Sequence, residues 1–375
     1  MNGKIIIAGA SARAAAFSAQ RSGFEPYTVD LFADSDLVRF FSATRVANYP
    51  YGIAEAIGEL PSGPWMYTGA LENHPNLIDE ITRQRPLYGN AGKQIRQVRN
   101  PRRMSEVFRD ADLLYPDIVN HLDQITHRPG WLRKPLQSAA GRHIEPLQQY
   151  HRENKKFYYQ RQIQGWPCSA VYLVSCTTAR LLGVTYQLTG CDWAGAAAFF
   201  YAGSIGPVQL ERKIRKQFER IGETLRSVFD VRGLIGVDAV IANNQVWTVE
   251  INPRYTASVE ILERAGRTDL ISQHASAFGL HCDVTPCRAD TSMMHGKAVC
   301  YAEKPLLITR PFLDWVQTIN LEHRTWPQLA DIPKVGSSIG KGQPVLTVFT
   351  SGTDLEQVEN QLQLKMVALK QQLNK

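Results

Sequence analysis

Asp238, Glu250, Asn252 and Arg254 stand close together in the run Gly236-Val237-Asp238-Ala239-Val240-Ile241-Ala242-Asn243-Asn244-Gln245-Val246-Trp247-Thr248-Val249-Glu250-Ile251-Asn252-Pro253-Arg254, and their side chains suit the chemistry of a metal-bound phosphate. Magnesium takes hard oxygen ligands, commonly one or two carboxylates completed by substrate phosphate oxygens, so Asp238, Glu250 and Asn252 are candidate metal ligands. A guanidinium grips phosphate through parallel N–H donors, which makes Arg254 a candidate clamp. The backbone pattern brings the four together. Asn243-Asn244 tolerates the positive φ of a tight turn, and the flanking runs are β-rich with alternating polarity, so a hairpin is predicted. Alternation along a strand puts Glu250 and Asn252 on one face, with Asp238 on the paired strand. By spacing alone, the same acids and amide would also suit the solvated face of a hairpin.

Residues 4 to 30 read as strand, helix and strand: Lys4-Ile5-Ile6-Ile7-Ala8, an alanine-rich stretch from Gly9 to Ser22, then Tyr27-Thr28-Val29-Asp30. This is a βαβ start with a parallel sheet behind it. A dinucleotide site would want G-x-G-x-x-G after the first strand, but Gly9, Ser11 and Ala14 occupy those places. An NAD(P)-binding oxidoreductase therefore rests only on the βαβ start and Asp30. A polar, loop-rich stretch follows from Gly69 to Pro101, including Leu71-Glu72-Asn73-His74-Pro75 and Gly89-Asn90-Ala91-Gly92. A helix is expected over Met104 to Leu113, then Trp131-Leu132-Arg133-Lys134-Pro135, a loop, and the aromatic strand Phe157-Tyr158-Tyr159-Gln160. Near the end, Lys297 to Leu307 and Pro344 to Phe349 read as strands bracketing Val335 to Gly342, and a polar helix runs on from Leu355.

The run Glu250-Ile251-Asn252-Pro253-Arg254, preceded by an aspartate strand, resembles the ATP-grasp superfamily, whose second half binds magnesium and the ATP phosphates with such a pair. Upstream, Lys134-Pro135 followed by Ser138-Ala139-Ala140-Gly141-Arg142-His143-Ile144 is similar to that superfamily's lysine and flexible phosphate loop, which implies that Lys134 and Gly141 meet ATP phosphates. The loop carries alanines where glycine is usual. Tyr159-Gln160-Arg161-Gln162-Ile163 resembles the hinge strand that reads adenine and ribose, so Gln160, Gln162 and Ile163 are implied there, amides standing where acids are common. Arg99 takes the place of a second basic residue, and Tyr201 to Pro207 resembles the loop ahead of the helix that leads to the metal hairpin.

The resemblance implies a mixed α/β (α+β) ATP-grasp fold. A Rossmann-like preATP-grasp domain is expected at residues 1–105, the nucleotide-binding domain at 106–290, and a β-rich, barrel-sandwich-like extension at 291–375 ending in a helix. It implies ATP with Mg2+ or Mn2+, small-molecule carboxylate and amine substrates, and a ligase that activates the acid as an acyl phosphate, with Arg254 and Lys134 as catalytic residues. Within the superfamily, the arrangement is similar to proteins accompanying methanofuran- and tetrahydromethanopterin-linked one-carbon genes, including the Leu71-Glu72-Asn73-His74-Pro75 and Gly89-Asn90 stretches. That points to glutamate or amino-acid ligation to an amine in cofactor biosynthesis. The alanine-bearing loop and the glutamine-bearing hinge keep open a nucleotide-binding regulatory protein of weak turnover.

Composition sets outer bounds. With 375 residues, 44% hydrophobic and 21% charged, the chain suits a globular enzyme with a large core. No apolar run approaches the about eighteen residues of a membrane span, and the start runs directly into a strand pattern, so a cytoplasmic protein is expected. A net charge of +7 suits an anionic substrate such as a nucleotide. Nucleic acid is not expected, because the richest basic run, Lys93 to Arg103, lacks stacking aromatics. Cys168, Cys176, Cys191, Cys282, Cys287 and Cys300 form no C-x-x-C pair, so they are expected to be free thiols, and a Cys168–His143 catalytic pair has no support in spacing. No Met-Lys-Met stands near Ile339 to Val348, so covalent biotin is not implied there. A homodimer is compatible with the sequence.

Overall fold

The computed structural model describes residues 3–149, 151–266, 269–280, 292–321 and 326–375; Cys282 and Cys287 lie outside the described residues. Its first unit is a four-stranded parallel sheet in the order Ser42–Arg45, Glu25–Asp30, Lys4–Gly9, Trp65–Tyr67. Ile5, Ile6, Ile7 and Ala8 are wholly buried, as a strand covered on both faces requires. The alanine-rich helix Arg13–Arg21 packs small side chains against it. Gly9 lies so near the chain at Thr68 that a Cβ would fall 2.0 Å from its Oγ1, so this glycine serves close packing. Asp30 accepts hydrogen bonds from the backbone N–H groups of Ala12, Phe32 and Ala33 at 2.6, 2.7 and 2.7 Å. The carboxylate that a dinucleotide-binding protein would turn to a ribose is taken up by its own loops.

A small antiparallel sheet follows, ordered Ile118–Val119, Phe157–Arg161, Trp131–Pro135, Glu145–Pro146. The largest sheet has eight strands: Gln245–Asn252, Gly233–Ala242, Trp166–Val174, Ala179–Thr189, Tyr201–Gly206, Met294–Tyr301, Pro344–Gly352 and Leu329–Ala330. Gly203 pairs with Ala298, so the segment after residue 291 extends the central sheet. Leu355–Leu373 buries Val358, Leu362, Met366 and Leu369 on that extension.

Two expected elements shift. The helix expected from Met104 begins at Pro101 and ends at Asp110, because Asn100 caps it by accepting from Arg103 N and Pro101 fills the first turn. The run Lys297 to Leu307 is not one strand. It forms Met294–Tyr301 and, after a bend over residues 302–305, Leu306–Leu307 in a separate two-stranded ladder.

His274 ties the first unit to the central sheet. It is buried on the helix Leu270–Ser276, its Nδ1 accepts from Leu234 N at 2.8 Å, and its Nε2 donates to Tyr88 O at 2.9 Å. Burial favours the neutral ring and pushes its pKa down to about 4 from an ordinary value near 6.5. As pH falls, the unfolded chain takes up this proton first; the residue's stabilisation is complete above pH about 6.5 and is lost as pH falls towards 4, on the order of 3 kcal/mol. Denaturant titrations of wild type and His274→Gln at pH 7.5 and 4.5 are expected to show the smaller acid loss in the variant.

Candidate functional site

The hairpin forms as its sequence dictates. Asn243 and Asn244 both adopt positive φ, +50° and +58°, which two-residue hairpin turns of the matching twist demand. Asp238 lies directly across from Glu250, and Gly236 from Asn252, with a bulge after Asp238. Asn252 Nδ2 donates to Asp238 Oδ2 at 3.0 Å, and Gln187 Nε2 donates to Asp238 Oδ1 at 2.8 Å.

Two carboxylates this near repel, and each responds differently. Burial, and then the charge of Glu250, pushes Asp238 up to about 6. Burial acts on Glu250 too, but Arg99, Lys134 and Arg254 outweigh it and hold Glu250 below its usual range. Arg99 Nη1 donates to the Glu250 carboxylate, and Arg99 Nη2 reaches Ser138 O at 3.1 Å and Asn73 Oδ1 at 3.3 Å. Arg254 Nη2 donates to Glu72 Oε1 at 2.6 Å and to Asn252 Oδ1 at 3.1 Å. Lys134 is buried and donates from Nζ to Gln160 Oε1 at 2.9 Å; burial is the main cause of a lowered pKa.

A cleft of about 540 Å³, counting space open to solvent, is lined by Arg99, Lys134 and Glu250 of this group; Asp238, Asn252 and Arg254 lie outside its lining. Lys134, Gly141 and Tyr158 line one side, and Arg99, Glu250 and Ile251 the other. Gly141 has φ +74°, and a Cβ there would stand 1.9 Å from Phe199 O, so the one glycine of the alanine-bearing loop sits where the backbone comes closest.

The structure therefore gathers Asp238, Glu250, Asn252, Arg254, Arg99 and Lys134. Gln160 shares the sheet face of Lys134 and is buried against it. Gln162 and Ile163 follow that strand, half-buried, and do not line the cleft; Gln162 N donates to Gly130 O at 2.8 Å. Cys168 is buried with its thiol pushed up by burial, while His143 is exposed on the loop, so they form no pair. In the basic run, Arg96, Arg99, Arg102 and Arg103 are each matched to an acid. Glu72, Asn73, Gln187 and Tyr158 were not singled out by sequence as site residues. Glu72 and Asn73 lie in a stretch read as a polar, loop-rich domain edge facing a site, but neither residue was given a role there, because a buried acid in such a stretch carries no local mark.

A hard dication fits this donor set. Asp238 and Glu250 are opposed across a ladder with mutual repulsion that two positive charges would relieve, and the third donor is an amide. The cationic side chains around them, Arg99, Lys134 and Arg254, suit the oxygens of a polyphosphate.

Residues 98–258 match the ATP-grasp domain family. The chain is 24% identical over 295 residues to the formate-dependent phosphoribosylglycinamide formyltransferase of Pseudomonas entomophila, spanning 70% of this chain and 69% of that one. Among solved structures, it superposes on N5-carboxyaminoimidazole ribonucleotide synthetase from Thermotoga maritima with a TM-score of 0.65 at 14% identity, covering 97% of this chain and 98% of the other. It is similarly related to an L-amino acid ligase from Bacillus licheniformis, with a TM-score of 0.67 at 13% identity over 98% and 97%. The match to the ATP-grasp domain family covers residues 98–258, and the chain as a whole shares the ATP-grasp fold of the solved structures.

Proposed function

We propose that the protein is an ATP- and magnesium-dependent ligase that converts a small carboxylate into an acyl phosphate and joins it to an amine. The observation that carries this is the set of cationic side chains, Arg99, Lys134 and Arg254, around the opposed pair Asp238 and Glu250, with Arg99, Lys134 and Glu250 lining one cleft. In the reaction, a carboxylate oxygen attacks the γ-phosphorus of ATP and ADP leaves; the amine nitrogen then attacks the acyl carbon, phosphate leaves, and the nitrogen gives up a proton. Asp238, Glu250 and Asn252 would hold the metal, which would neutralise phosphate charge. Lys134 and Arg99 bind phosphate charge, and Arg254 is held by Glu72 to face the transferring group. Positioning supplies most of the acceleration, since the acid itself is the nucleophile.

For the substrates, the formyltransferase's name records formate and phosphoribosylglycinamide, and the solved ligase's name records L-amino acids. Both support a small acid and an amine. Glutamate joined to an amine, as in tyramine–glutamate ligation of methanofuran synthesis, is the specific pair we favour; it rests on the sequence resemblance.

Hydroxylamine in place of the amine is expected to trap the acyl phosphate as a hydroxamate, with ADP formed one for one, when glutamate or another matching acid is supplied with Mg-ATP. Mg-ATP binding without hydroxamate from any acid in a broad panel would instead indicate a nucleotide-binding protein without ligase turnover. Glu250→Gln, which keeps shape and removes a charged ligand, is expected to abolish magnesium-dependent turnover with its circular dichroism spectrum unchanged. Arg254→Ala is expected to lower kcat roughly 100- to 1000-fold, the worth of a lost transition-state donor. Glu72→Gln leaves a buried guanidinium without its counter-charge and is expected to lower unfolding free energy by about 3 kcal/mol in denaturant melts.

A further inference from the structure

The loop after Lys134 is held shut from outside itself. Asn73, on the short turn Leu71–Asn73 of the first unit, donates from Nδ2 to Ser138 O at 3.2 Å, and its own carbonyl accepts from Gln137 Nε2 at 3.1 Å. The same side chain accepts at Oδ1 from Arg99 Nη2 at 3.3 Å, and that nitrogen also donates to Ser138 O at 3.1 Å. Farther along, Ala140 O accepts from Tyr201 N at 3.1 Å. The turn that carries Asn73 is pinned: Leu71 and Glu72 are buried, and Ala70 before it is held at φ +76°, a conformation alanine adopts only under constraint.

We propose that Asn73 is a positioning residue that latches the 137–141 loop over the nucleotide phosphates and couples that closure to Arg99. One amide satisfies both ends of the coupling: its N–H holds the loop carbonyl, and its oxygen holds the guanidinium that grips Glu250. Within the loop Ala140 stands at φ +56°, a conformation alanine adopts only under constraint, so external contacts are needed to hold this form. Closure matters chemically because an acyl phosphate open to water is attacked at its acyl carbon, releasing the acid and phosphate and wasting one ATP. The latch rests on the proposed nucleotide site for its purpose, and on geometry alone for its existence.

Hydrogen exchange by mass spectrometry separates the two. Asn73→Asp keeps an oxygen for Arg99 and loses the donor to Ser138 O; Gln137→Ala removes the loop's reach to the Asn73 carbonyl and touches no substrate-binding group. Both variants are expected to speed exchange across residues 137–144 by roughly three- to tenfold, the worth of one or two hydrogen bonds, with no change across 233–252. In hydroxylamine trapping, both are expected to raise ADP formed per hydroxamate, a ratio that a general loss of folded protein would leave at one. Exchange across 137–144 equal to wild type in both variants would overturn the latch. Wild-type exchange there that Mg-ATP does not slow would count against the nucleotide site while leaving the latch standing.

Discussion

Everything at the cleft follows from two acids placed face to face. Antiparallel pairing sets Asp238 opposite Glu250, and partial burial of both weakens the solvent screening of their repulsion. The surroundings respond with positive charge: Arg99 and Lys134 bring down Glu250, and Asn252 and Gln187 share hydrogen bonds with Asp238. The pair is strained in charge but held in position by these partners, an arrangement whose repulsion a bound cation would relieve.

That arrangement needs the first unit as much as the hairpin. Glu72 clamps Arg254 and Asn73 contacts Arg99, so a single turn at the edge of the parallel sheet orients two of the three cationic side chains. The buried His274 bridge between Tyr88 O and Leu234 N locks the same two units together away from the cleft. Rigid support on one side and a hydrogen-bonded loop on the other are what a site needs if it must bind a polyphosphate firmly and still admit it.

The pattern of the sheet and hairpin was legible along the chain because it is local. Triple isoleucine after Lys4 is a buried strand, paired asparagines are a hairpin turn, and a two-residue period decides which face Glu250 and Asn252 share. Sequence pattern and structure part at two places: the chain bends over residues 302–305 within a run that reads as continuous strand, and Asn100 with Pro101 starts a helix earlier than its apolar period suggests. The three residues implied to meet adenine and ribose do not share one place in the structure. Gln160 is turned into Lys134, while Gln162 and Ile163 lie beyond the strand and off the cleft lining.

By itself, the sequence determined the hairpin, its oxygen donors, the basic residue types and the parallel first sheet, all consequences of backbone periodicity and turn chemistry over a few residues. Tertiary structure alone decided which cation meets which acid. Arg99 meets Glu250 across 151 positions and Glu72 meets Arg254 across 182, and nothing local to a buried acid in a loop names a partner that far away. Both pairings join residues from different units of the fold, so they exist only once the sheets have packed.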